Sequence, residues 1–115
     1  MTGNEWVKEF PGTITIVDKD GIIVYMNERA LQKYGKTGGE VGKSVFACHP
    51  EAAGRKLQEL MDTRQTYVYT TEGGGKGKIA CQAPWYQDGE YAGFLELTME
   101  ATLPLPHFVR DRKGS

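Results

Sequence analysis

Residues 13–34, TITIVDKDGIIVYMNERALQKY, constrain this chain more than any other stretch. Two runs rich in β-branched side chains, Thr13 to Val17 and Ile22 to Met26, flank Asp18-Lys19-Asp20-Gly21. Val, Ile, Thr and Tyr suit a pleated surface, and Asp-Gly tolerates the positive φ that a tight hairpin needs. The two strands are therefore predicted to run antiparallel. Asn27 then breaks the β pattern, and its side-chain oxygen can cap the start of a helix. Glu28 suits the positive end of the helix dipole. Ala30, Leu31 and Tyr34 form a short apolar stripe before Gly35 ends the helix. The chain thus opens as a hairpin followed by a short helix.

Ahead of the hairpin, residues 1–11 read as an N-terminal helical segment in which Trp6, Val7 and Phe10 share one face. Pro11-Gly12 ends it. So short a helix is unstable alone and must dock. The strand Ile22 to Met26 is apolar on both faces, whereas a half-exposed antiparallel strand alternates apolar and polar. Its outer face is expected to be covered by the N-terminal segment, a partner subunit, or both. This predicts a homodimer with Trp6, Val7 and Phe10 at the interface.

Residues 35–44 hold four glycines and read as a loop, after which Val45 and Phe46 return to the core. Pro50 suits the first turn of a helix, predicted from Glu51 to Thr63 with Leu57, Leu60 and Met61 as its buried stripe and Ala53 one turn earlier. Strands follow over Thr66 to Glu72, Lys78 to Tyr86 and Tyr91 to Met99, joined by Gly73 to Gly77 and by the turn Gln87-Asp88-Gly89-Glu90. In the middle strand, the apolar pattern assigns Ile79, Cys81, Ala83 and Trp85 to the core face and leaves Gln82 opposite. Residues 101–115 contain Pro104 and Pro106 without periodicity and read as a departing linker or tail. The element order is that of an α+β domain over residues 12–100, with helices on one face of an antiparallel sheet.

The run IVDKDGIIVYMNERALQKYG resembles the start of a PAS domain: an apolar strand, D-x-x-G, a second strand, then Asn opening a helix. GKSVF before the longer helix and the ending DGEYAGFLELTME are similar too, so the resemblance spans residues 10–100. Cys48-His49-Pro50 and GEYAGFLELT resemble small PAS modules of prokaryotic proteins. The resemblance implies a five-stranded antiparallel sheet in the order 2-1-5-4-3, a cavity between sheet and helices, and a non-catalytic sensor or interaction module of a signalling protein. Leu31, Tyr34, Phe46, Leu57, Met61, Ile79, Cys81 and Leu95 are the expected cavity residues, and each serves equally as core. Some PAS domains bind haem through a histidine in the region of His49. The alternative reading is therefore a haem- or redox-sensing domain using His49 or Cys48.

The residues themselves offer little other chemistry. Formal net charge is −1 with both signs interspersed, which gives nucleic acid or an anionic membrane surface no electrostatic purchase. No apolar run reaches the roughly 20 residues of a membrane span. Two cysteines, Cys48 and Cys81, do not make a disulfide scaffold; they read as buried thiols of a cytoplasmic protein. The glycine run Gly73 to Gly77 joins two strands and lacks the G-K-[ST] ending and following helix of a phosphate loop. No Cys/His set has zinc spacing, so no metal is expected. No G-x-S-x-G motif occurs, and the acids Asp18, Asp20, Asp88 and Glu90 belong to turns.

Overall fold

Asp18 pins the first turn. Its carboxylate accepts hydrogen bonds from the backbone N–H groups of Asp20 (2.9 Å) and Ile22 (3.0 Å), and Gly21 takes φ +80°, a value that an L side chain resists. The computed structural model of the protein describes residues 5–35, 40–48 and 51–111. In it, β1 (Thr13–Asp18) and β2 (Ile23–Met26) pair antiparallel, preceded by the single turn α1 (Glu5–Lys8) and followed by α2 (Glu28–Tyr34). A short 3-10 helix, Val45–Cys48, leads towards α3 (Glu51–Thr63). Then come β3 (Tyr67–Gly73), β4 (Lys76–Gln87) and β5 (Glu90–Ala101). Asp88 and Gly89 both carry positive φ in the last turn, the requirement of a two-residue hairpin of primed type.

One five-stranded sheet results, in the order β2-β1-β5-β4-β3 with every pairing antiparallel. This is the order expected from the resemblance. Val17, Ile23, Met26 and Phe94 face Ala30 of α2 and Leu57, Leu60 and Met61 of α3 in a single core. Phe94 is 1% exposed; burying a side chain of that kind stabilises by about 1.5–3 kcal/mol.

Asn27 does more than cap. It is 1% exposed. Its Oδ1 accepts from the backbone N–H of Ala30 (3.1 Å) and of Ile14 (3.0 Å). Its Nδ2 donates to the carbonyls of Val7 (3.1 Å) and Gly12 (3.0 Å). One buried amide thus ties α1, β1 and the start of α2 together with all its hydrogen-bonding capacity used. Beyond it, Trp6 remains 64% exposed, while Val7 and Phe10 are half-buried.

Gly93 shows why a glycine sits inside β5. A Cβ there would run into the carbonyl oxygen of Val17. Opposite it in register stands Trp85, whose indole N–H donates to that same Val17 carbonyl at 3.0 Å. The indole passes over the glycine to reach a strand that β4 does not pair with.

Candidate functional site

The register fixes which residues look inwards. Tyr67, Gln82, Glu96, Thr15 and Met26 are aligned as one row across all five strands. Next to it runs Pro84, Phe94, Val17 and Ile23. Phe94, Val17 and Ile23 belong to the core with the helices, so both rows form the inner face. The outer face carries Ile79 with Met99, then Val68, Cys81, Leu97 and Ile14, then Ala83, Leu95, Ile16 and Tyr25.

This reverses the assignment made from hydropathy. Gln82, placed on the outside by its polarity, is 7% exposed on the inner face. Ile79 and Cys81, expected inside, are half-buried on the outer one. Alternation separates a strand's two faces without saying which is inward. Here the inner row is polar because it borders a space rather than a packed helix.

That space is a cavity of about 340 Å³ between the inner face and the helices, within the range of small-molecule sites, about 300–1,000 Å³. Val17, Ile23, Met26 and Phe94 make an apolar floor. Tyr34 of α2, Val45, and Ala53, Lys56 and Leu57 of α3 enclose it from the helical side. Thr15, Gln82 and Glu96 supply polar groups from the sheet, and Tyr67 and Tyr69 border it from the edge strand. Gln82 Nε2 donates to Glu96 Oε2 at 2.9 Å. The two tyrosine rings lie 5.2 Å apart, tilted by 36°. Burial pushes the Tyr69 phenol up from its ordinary value, and the charges of Glu96 and Tyr67 add to the rise. Burial likewise raises Tyr91. Further along, the neighbouring Lys78 ammonium holds the Lys33 ammonium below its usual value, and burial lowers it further.

Of the expected cavity residues, Tyr34 and Leu57 line this space; Leu95 borders it between Phe94 and Glu96, although its register places it in an outer-face row. Met61 is buried in the adjoining core, with Phe46 packed against it. Leu31 does not join them: it is 46% exposed, because α2 turns Ala30 inwards and its neighbour in sequence points about 100° away. Ile79 and Cys81 stand on the opposite side of the sheet. His49 lies outside the described residues, and the side chain of Cys48 is likewise undescribed. Sequence reasoning missed Thr15, Lys56, Tyr67, Tyr69 and Glu96. The i, i+2 spacing of the two tyrosines, and of Glu96 with Phe94, was the available signal. Among the described residues, no group of three or more His, Cys, Asp or Glu is placed to hold a metal, and no helix is long and apolar enough to cross a membrane.

Neither a protein-family model nor a curated protein matches the sequence. Solved structures do match in three dimensions. A C-terminal domain from Streptococcus mutans is 27% identical with a TM-score of 0.68, over 85% of this chain and 81% of that one. The PAS domain of BvgS from Bordetella pertussis is 19% identical with a TM-score of 0.63, over 85% and 82%. A sensory box sensor histidine kinase from Vibrio cholerae is 18% identical with a TM-score of 0.63, over 87% and 89%. The neighbours named as PAS domains or sensors match the fold of this chain over most of its length.

Proposed function

On the premise that this chain is a PAS domain by fold, we propose that it is the sensor module of a signalling or regulatory protein. It binds a small molecule in the 340 Å³ cavity and carries no catalysis of its own. The observation behind this reading is the inner row of the sheet. Thr15, Gln82 and Glu96 face an apolar-floored space, where a domain built only for stability would place apolar side chains. A few convergent polar groups in an apolar pocket are what recognition of a small ligand needs. The same domain pairs with a second copy through its outer face, where half-buried Leu95, Leu97, Ile79 and Cys81 lie open with exposed Met99, continuous with the N-terminal Trp6, Val7 and Phe10. Sheet packing against the partner is then the route by which occupancy of the cavity reaches an attached domain.

Native mass spectrometry tests the binding half. Ala53 lines the cavity yet is exposed on α3, so Ala53→Trp fills the entrance at little cost to the fold. The expected result is a small-molecule adduct, or a thermal shift with a member of a metabolite collection, that Ala53→Trp abolishes. Protein that neither retains nor responds to any small molecule contradicts the reading.

A further inference from the structure

The cavity also indicates the charge of its ligand, an inference that rests on the binding role just proposed. Glu96 is the carboxylate of the cavity wall. One of its oxygens accepts from Gln82, and no cationic side chain among the described residues lies within 4.0 Å of it. Gln82 itself is nearly fully buried, so the carboxylate is held in place from its own sheet row. Lys33 feels the charge of Glu96 from beyond ion-pair distance and does not border the cavity. Lys78, whose charge acts on Lys33, does not border it either.

Around this carboxylate stand aromatic rings. Tyr67 lies opposite Gln82 in the strand register, Tyr69 is next to it on the same face, and Tyr34 approaches from α2. The negative face of such a ring attracts a cation within about 6 Å of its centroid. Two rings already do so: the Lys56 ammonium sits 4.6 Å from the Tyr67 centroid and the Lys33 ammonium 5.3 Å from that of Tyr34, which leaves Tyr69 as the ring without a lysine over it among the three. Lys56 is itself half-exposed and only loosely paired with Glu59 at 3.9 Å, so it guards the rim and does not neutralise Glu96.

We propose that the cavity binds a small organic cation: an ammonium group that donates to Glu96 and stacks on the tyrosine faces, carried on an apolar body that covers Val17, Met26 and Phe94. An anionic ligand of the same shape would set its charge against Glu96, and like-charge contact in a partly desolvated site is strongly disfavoured.

The test uses three probes that share one phenylethyl body, on the whole chain by calorimetric titration: phenethylammonium, 2-phenylethanol and 3-phenylpropanoate. The ammonium is expected to bind at least tenfold more tightly than the alcohol, with the carboxylate weakest. Glu96→Gln keeps the shape and the partner Gln82; it should erase the preference for the ammonium over the alcohol. If the alcohol or the carboxylate binds best, or if Glu96→Gln leaves the ranking intact, the charge assignment is overturned and the cavity's binding role stands. If none of the three binds, the assignment is overturned as well. The Ala53→Trp comparison by mass then decides separately whether the cavity binds anything.

Discussion

The two faces of β4 and β5 differ in a way that explains the molecule. On the inner face, Gln82, Phe94 and Glu96 border the core and a cavity; on the outer face stand Ile79, Cys81, Leu95 and Leu97. Polar groups sit inside and aliphatic ones outside, the reverse of a half-exposed antiparallel sheet in an ordinary monomer. The inversion follows if the inside holds a ligand and the outside another copy of the chain. A core and an interface are then built on opposite sides of the same strands, and single substitutions one residue apart should have different consequences.

The largest contrast is between Phe94 and Leu97. Phe94→Ala empties the centre of the core and is expected to cost about 3–5 kcal/mol in urea unfolding. Leu97→Ala, on the half-buried outer face, should cost well under half of that in dilute solution. Equal losses would break the distinction between the faces. Asn27→Ala comes next, at about 2–4 kcal/mol, because it removes a helix cap and takes away the buried amide that pairs the Ile14 N–H and the carbonyls of Val7 and Gly12. Leu97→Lys should lower the thermal midpoint at low concentration no more than Leu97→Ala does, while weakening self-association at least tenfold in sedimentation velocity. A chain that is monomeric at every concentration would remove the dimer from the account.

A smaller effect sharpens the inner face. The Tyr69 phenol is raised above 10.0 by burial first and by Glu96 second. A phenol that holds its proton more tightly when folded stabilises the fold below its unfolded pKa, and that contribution is lost as pH rises through the raised value. Absorbance titration of the phenolate, with Tyr69→Phe to assign it, should show Glu96→Gln moving Tyr69 part of the way back. No movement would mean that the carboxylate does not face the ring. The smallest expected effect is at the surface: breaking the exposed Glu51–Arg55 pair with Arg55→Ala should change stability by about 0.5 kcal/mol or less.

Much of the fold was legible because its signals are local. Asp20-Gly21, Asn27 and the apolar stripe of Glu51 to Thr63 each act within a few residues, and hairpin, cap and helix appear where they were expected. The second role of Asn27, bonding to Val7, Gly12 and Ile14, could not be read because its partners are chosen by tertiary packing. The same holds for Trp85, whose indole reaches Val17 only because Gly93 leaves its path open. The candidate site was harder still. Hydropathy found both faces of β4 and chose the apolar one as interior, so Cys81 was preferred to Gln82. The rule fails where polar residues border a cavity, because they retain hydrogen-bond partners or solvent there and the burial penalty that the rule assumes does not arise.

Ligand and partner copy are assigned to opposite faces of one sheet. A series of ¹⁵N–¹H NMR spectra of the chain tests this assignment directly, first on dilution and then on titration with phenethylammonium. Dilution is expected to move signals of the outer rows, Ile79, Cys81, Leu95 and Leu97, and the amine those of Tyr69, Gln82 and Glu96. Amine-dependent shifts centred on the outer rows, or dilution shifts centred on the inner ones, would contradict it.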